Sequence, residues 1–201
     1  MSIRRLSVLI PALVAMFAVG LSVRAEGRPV EIGKPAPGFT LTSADGKTIS
    51  LKDYKGKIVV LEWTCPTCPF VVRHHKRLKT TQKLSQTFKD KGVVWLAIDS
   101  SKTASAEVAA EHAKENKISY PILIDRDGKV GKLYDAKTTP HMFVINRQGN
   151  LAYAGAMDDD PRGNNPERKN YVEAAVKSLL DGSTVAQTRV QSYGCSVKYA
   201  K

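Results

Sequence analysis

The alternation of apolar and polar positions divides the chain into short elements of changing period. Residues 6–19 are almost wholly apolar, between Arg4-Arg5 and Arg24. Further on, Phe39-Thr-Leu-Thr42 and Thr48-Ile-Ser-Leu51 flank Ala44-Asp-Gly-Lys47, and an Asp-Gly pair in that setting predicts a hairpin. Ile58-Val-Val-Leu-Glu-Trp63 and Val93-Val-Trp-Leu-Ala-Ile98 are nearly continuous apolar runs, the pattern of strands buried on both faces. Between them Phe70, Val71, Leu78, Leu84 and Phe88 recur at helical spacing, predicting one helix over residues 69–89 that ends at Gly92. The same reading predicts a helix over 105–117, a short strand over 121–124 and a helical turn over 131–135. A hairpin follows from 141–145 and 151–155 around Arg147-Gln-Gly149, and a last helix spans 171–180, closed by Gly182. Residues 158–169, rich in Asp, Gly, Asn and Pro, read as a surface loop, and residues 183–201 as a polar tail. Strands alternating with helices, then a hairpin and a final helix, predict a three-layer α/β fold around a mixed sheet.

Composition and charge change this picture at the N-terminus. A basic head, an apolar run and a small-residue exit at Val23 and Ala25 read as a secretory signal peptide over residues 1–25, which predicts export to the periplasm. The apolar run is shorter than the roughly 20 residues of a spanning helix, so membrane contact is expected only through an uncleaved leader. Loss of Arg4, Arg5 and Arg24 lowers the formal charge from +12 to +9. The remaining lysines are scattered, which describes a solvated basic surface and excludes a nucleic-acid footprint. Residues 26–182 suffice for one domain with a core of its own, leaving 183–201 as a tail that carries Cys195. With Cys65 and Cys68 this makes three cysteines, a close pair and a distant single residue, a distribution suited to redox chemistry rather than a structural framework.

The chemistry concentrates in Trp63-Thr-Cys-Pro-Thr-Cys-Pro-Phe70. A C-x-x-C pair between a buried strand and a helix puts a sulfur near free backbone N–H groups and the positive end of the helix dipole, which favours the thiolate. A thiolate so stabilised is both a nucleophile and a leaving group. His74 and His75 raise the alternative of a zinc site, but adjacent helical residues point about 100° apart and do not converge on one ion with both sulfurs. Both are expected on the solvated side of the helix, and His141 at the surface where its strand starts.

Taken together, Pro-Ala-Pro-Gly-Phe39, Asp45-Gly-Lys47, Tyr54-Lys-Gly-Lys57, the C-x-x-C-P motif and Thr138-Thr-Pro-His141 before a strand resemble the thioredoxin-like redoxin family of exported, alkyl-hydroperoxide-reductase-like proteins. The resemblance covers residues 32–182 and implies a thioredoxin-like three-layer fold, with a central mixed sheet and an N-terminal β-hairpin extension. It also implies that Thr139-Pro140 is the cis-proline loop lying against the active cysteine and offering a backbone edge to a substrate peptide. In typical redoxins the first active cysteine comes eleven residues after the Gly-Lys that precedes the central strand. Counting from Lys57, Cys68 is the eleventh residue and Cys65 the eighth, so Cys68 takes the nucleophile position, with Pro69 at the first helical position. Glu62, six residues earlier, then matches the buried acid that assists proton transfer in thioredoxins, or is merely tolerated at the strand end. No resolving thiol lies within the helix on this register, which leaves Cys65 as the near partner and Cys195 as the far one. The conventional register, with Cys65 attacking and Cys68 resolving, remains open. Trp63 either packs at the strand end or covers the active sulfur, and with Thr139 is a candidate substrate contact.

Three function classes follow. The first is a thiol–disulfide oxidoreductase working on protein thiols or disulfides, with Cys65 resolving Cys68 and an external thiol reductant. The second is a thiol peroxidase, in which a hydroperoxide oxidises Cys68 to a sulfenic acid. Peroxidases of this superfamily carry a threonine three residues before the reactive cysteine, a position that Cys65 holds for Cys68 and Glu62 for Cys65. The third is a copper chaperone of the same fold, whose C-x-x-x-C-P spacing differs from the C-x-x-C-P found here, with His141 as the available histidine. No organic cofactor or metal is implied by the oxidoreductase reading.

Overall fold

An apolar run without a polar face has no side to show to water, and the two such runs of this chain lie side by side in the middle of a seven-stranded sheet. The computed structural model describes residues 30–200, and the expected leader lies outside the described residues. In chain order the elements are β1 (Thr40–Ser43), β2 (Thr48–Ser50), β3 (Ile58–Trp63), α1 (Pro69–Val72), α2 (Thr80–Phe88), β4 (Val93–Asp99), α3 (Ala106–Asn116), β5 (Ile122–Ile124), α4 (Lys129–Leu133), β6 (Thr138–Thr139), β7 (His141–Ile145), β8 (Leu151–Gly155), α5 (Tyr171–Leu180) and β9 (Cys195–Ser196). Among the described residues no helix is long and apolar enough to cross a membrane.

The large sheet runs β2-β1-β5-β4-β3-β7-β8, and β6 and β9 form a separate two-stranded ladder. β3, β4 and β5 are parallel neighbours, β7 and β8 add antiparallel on one side, and the β1–β2 hairpin adds antiparallel to β5 on the other. This is the expected thioredoxin-like mixed sheet with its hairpin extension. All six residues of β3 are buried. Successive side chains of a strand point to opposite faces. Ile58 and Val60 pack with Leu84 and Phe88 of α2, Ala109 of α3 and Val172 and Val176 of α5. Val59, Leu61 and Trp63 pack on the other face with Val130 of α4, Tyr134, Phe143 and Phe39.

The expected single helix over 69–89 is broken. α1 passes into a π-helical turn at Arg73–Arg77, and Lys79 adopts a left-handed φ of 53° before α2 begins. The widened turn buries Arg73, His74 and His75. Both histidines are fully buried rather than solvated, and His141 is 9% exposed rather than a surface residue. Each ring has polar partners inside the protein, from afar for His75, from both near and far for His74 and from Lys137 for His141, and these outweigh the general preference of histidine for partial exposure.

Residues 183–200, expected as a polar tail, run back across the domain. Ala154 N–H donates to Thr188 O at 3.0 Å and Val190 N–H to Ala154 O at 3.2 Å. Farther on, Lys102 N–H donates to Lys198 O at 2.8 Å, Val197 N–H to Lys137 O at 3.1 Å, and the Tyr199 hydroxyl to Ala136 O at 2.7 Å. Asp158 and Asp160, in the expected surface loop, are also buried.

Candidate functional site

Pro69 starts α1 because its fixed φ suits the first helical position and its missing N–H would have no helical partner there. Cys68 is therefore the residue that caps the helix, with extended backbone, and its carbonyl accepts Val72 N–H at 2.9 Å. Its side chain is 2% exposed, and its thiol donates to Thr139 O at 2.9 Å. Thr139 belongs to β6 and precedes Pro140 across a cis peptide bond. The expected cis-proline loop thus lies against Cys68.

Burial by itself would raise the Cys68 thiol. The polar groups around the sulfur (the Thr139 side chain, the Val71 and Cys195 N–H groups and the Cys195 thiol) outweigh it, and the thiol lies below its ordinary value. The Thr139 hydroxyl is buried with no hydrogen-bond partner, so it is free to turn toward a charge on the sulfur. Cys195 is pushed up to about 11, by burial first and then by its hydrogen bond to Cys68 and the charge there. Of the two, Cys68 is the thiol that more readily gives up its proton and Cys195 the one that keeps it.

Cys65 sits half-buried in the turn before the helix, where its carbonyl accepts Cys68 N–H at 3.0 Å. Its sulfur lies 3.4 Å from Thr67 Oγ1, on the open side of the turn. All three cysteines are free thiols. Trp63 is fully buried, donates from Nε1 to Ser100 Oγ at 3.0 Å, and packs on Tyr134 and Phe143 with ring centroids 5.1 and 5.0 Å away. It presents no surface to a substrate; its part is to hold the end of β3 from beneath.

Glu62 is also fully buried, on the α2 face of β3. His75 Nε2–H donates to Glu62 Oε1 at 2.6 Å and Trp95 Nε1–H to Oε2 at 3.0 Å, with the Tyr120 hydroxyl 3.2 Å from Oε2. The chain of contacts continues outward: His75 Nδ1 is 2.8 Å from His112 Nε2, and His112 Nδ1 is 3.2 Å from the Asn116 amide. Burial tends to raise the Glu62 carboxyl, yet the His75 ring and the Trp95 N–H outweigh it and keep the group ionised. His74 faces a second cluster, with Nδ1 3.2 Å from Thr80 Oγ1 and Nε2 3.9 Å from Asp158 Oδ2. The two adjacent histidines therefore serve different clusters, as their angular separation on a helix requires.

His141 accepts Lys137 N–H on Nδ1 at 3.2 Å and packs on Phe143, which leaves it a role in shaping the β6–β7 corner. The residues that sequence reasoning missed are His75, Trp95, His112 and Tyr120 around Glu62. The basic run Arg73-His-His-Lys-Arg77 was their signal, because it puts polar residues on both sides of the expected helix.

The profile of the AhpC/TSA family matches residues 32–154. A thiol–disulfide oxidoreductase, ResA, of Bacillus thuringiensis subsp. konkukian is 33% identical over 126 residues, which cover 61% of this chain and 68% of that protein. An uncharacterized conserved protein of Geobacillus kaustophilus has a solved structure with TM-score 0.76 and 33% identity, covering 85% of this chain and 93% of that one. The thioredoxin domain of a Bacteroides vulgatus thiol–disulfide oxidoreductase has the same fold, with TM-score 0.55 and 23% identity over 62% of this chain and 88% of that one.

Proposed function

Because the chain belongs to the AhpC/TSA family, we propose that it works as an exported thiol–disulfide oxidoreductase whose attacking group is the Cys68 thiolate. The observation that carries this reading is the Cys68 sulfur, seated at the start of α1 against Thr139 with its thiol below the ordinary value. The Cys68 thiolate attacks one sulfur of a substrate disulfide, a mixed disulfide forms, and the other sulfur leaves as a thiolate. A second cysteine then displaces the substrate, and an external thiol reductant restores the pair. Protein thiols or disulfides are the substrates this chemistry suits. Export is supported by the leader pattern of residues 1–25.

Glu62 supports the site as a proton-handling or positioning group on β3, and Thr139 as a hydrogen-bonding group beside the sulfur. Pro140 contributes its place next to Thr139, where it has no N–H to compete for the sulfur.

The test is turnover of oxidised glutathione, with dithiothreitol as reductant, by the wild-type protein and its Cys68→Ser and Cys65→Ser variants. Removal of an attacking nucleophile costs at least about 100-fold, so Cys68→Ser loses that much or more. A Cys68→Ser protein that keeps its activity while Cys65→Ser loses it would instead make Cys65 the nucleophile and overturn the proposal.

A further inference from the structure

The strongest unassigned arrangement is the C-terminal strap that covers Cys68. β9 pairs antiparallel with β6, with Cys195 directly opposite Thr139. Thr139 is the residue whose carbonyl touches the Cys68 sulfur at 2.9 Å, so the ladder brings Cys195 and Cys68 to the same residue from two sides.

The strap is built to hold this position. Just before β9, Gly194 passes so close to β6 that a Cβ would collide with the Thr139 carbonyl oxygen, and its φ of +141° lies where side chains are disfavoured. Tyr193 anchors one end: its hydroxyl bonds Asp158, accepts Arg73 Nη2–H at 2.9 Å, and its ring lies 5.9 Å from that of Phe70 on α1. Arg73, in turn, lies 3.8 Å from Asp158. Beyond β9, the Val197 and Tyr199 bonds to residues 136–137 pin the other end. Cys195 thus has fixed backbone on both sides and sits opposite the residue that touches the Cys68 sulfur, whereas the hydrogen-bond contact of the Cys65 sulfur is to Thr67 in its own turn.

Resting on the reading of Cys68 as nucleophile, we propose that Cys195, not Cys65, is the second redox cysteine, and that the working disulfide is Cys68–Cys195. In the reducing direction Cys68 attacks the substrate RS–SR′, the S–S bond breaks, and R′S⁻ leaves with the proton available from solvent. Cys195 then attacks Cys68 Sγ, its own proton passes to the departing RS⁻, and the Cys68–Cys195 bond forms as the mixed disulfide breaks. The substrate gains two electrons and the two cysteines lose them. The strap has a second consequence: it already fills the backbone edge of Thr138–Thr139, so an extended substrate peptide adds to this edge only when β9 moves away.

The experiment is non-reducing peptide mapping of the full chain after exposure to oxidised glutathione, on the wild type and on the Cys65→Ser and Cys195→Ser variants. The expected result is a Cys68–Cys195 peptide pair in the wild type and in Cys65→Ser. In Cys195→Ser the glutathione adduct on Cys68 is expected to accumulate at least about tenfold over the wild type, because resolution is lost. A Cys65–Cys68 pair in the wild type that persists in Cys195→Ser would overturn this inference and leave Cys68 as nucleophile. Glutathione found on Cys65 in Cys195→Ser would overturn the underlying assignment of the nucleophile as well. The wild-type map does not depend on any variant folding.

Discussion

Two buried polar sites lie at the end of β3, and they are built in opposite ways. On the α2 face, both Glu62 oxygens have partners, and the contacts run on through His75 and His112 to Asn116 without a gap. At the loop that follows, Cys68 is just as hidden, yet the hydroxyl of Thr139, whose carbonyl touches its sulfur, has no hydrogen-bond partner. A satisfied buried network stabilises and fixes a core, whereas an under-satisfied one retains unused capacity for a charge that forms during reaction. The first site has the makings of a fixed support for the strand; the second keeps polar capacity that the Cys68 reading would use for a thiolate.

The largest effect expected from this contrast is on stability. Glu62→Ala leaves His75, Trp95 and Tyr120 without their shared acceptor, and breaking such a buried pair costs about 3–5 kcal/mol. Cys68→Ser costs about 1 kcal/mol or less, because no comparable network depends on it. Urea unfolding of both variants makes the measurement, and equal losses would erase the distinction between the two sites.

The next effect is pH-dependent. Burial, the largest cause in each case, lowers His74 to about 3 and His112 and His141 to about 4, from 6.5. Below pH 6.5 the unfolded chain binds protons that the folded protein refuses, so stability is complete above that pH and falls on acidification toward pH 4. The slope is about 1.4 kcal/mol per pH unit for each ring. Glu62, whose carboxyl is lowered, adds its loss only below 4.5. Unfolding midpoints at pH 7.5, 6 and 4.5 (buffer settings, roughly spanning the window) follow this; a flat profile would mean the histidines are not held neutral.

The smallest effect sharpens the reactive side. Thr139→Val removes the unpartnered hydroxyl that can turn to a charged sulfur, and one such hydrogen bond is worth about 1 kcal/mol, or about fivefold in the rate of Cys68 alkylation by iodoacetamide at neutral pH. Unchanged alkylation would remove the Thr139 hydroxyl from the site.

Much of this molecule was legible from period and punctuation. The strands at 58–63, 141–145 and 151–155 and the helix at 171–180 fall where the apolar pattern places them, and Gly46 turns the hairpin at Asp45-Gly46 with a φ of +82°. The break within 69–89 leaves no mark in the sequence, because the apolar positions fit one period, while the π-helical turn depends on the partners that draw His74 and His75 inward. The course of residues 183–200 is hidden for a similar reason. Its apolar residues are few, and its order comes from Tyr193, Gly194, Val197 and Tyr199 meeting groups far away in the chain.

Local chemistry offered two places for the helix to start, since Pro66 follows Cys65 as Pro69 follows Cys68, and the spacing from Lys57 favoured Cys68 only by resemblance to the redoxin pattern; the fold starts the helix at Pro69. The burial of β3 was equally a local matter, since a run of apolar residues has no other stable place. Which groups surround Cys68 and Glu62 was not. Thr139 and Cys195, like His75 and His112, meet only after the sheet has formed, because hydrogen bonding is short-ranged and directional and leaves no periodic trace in the amino-acid order.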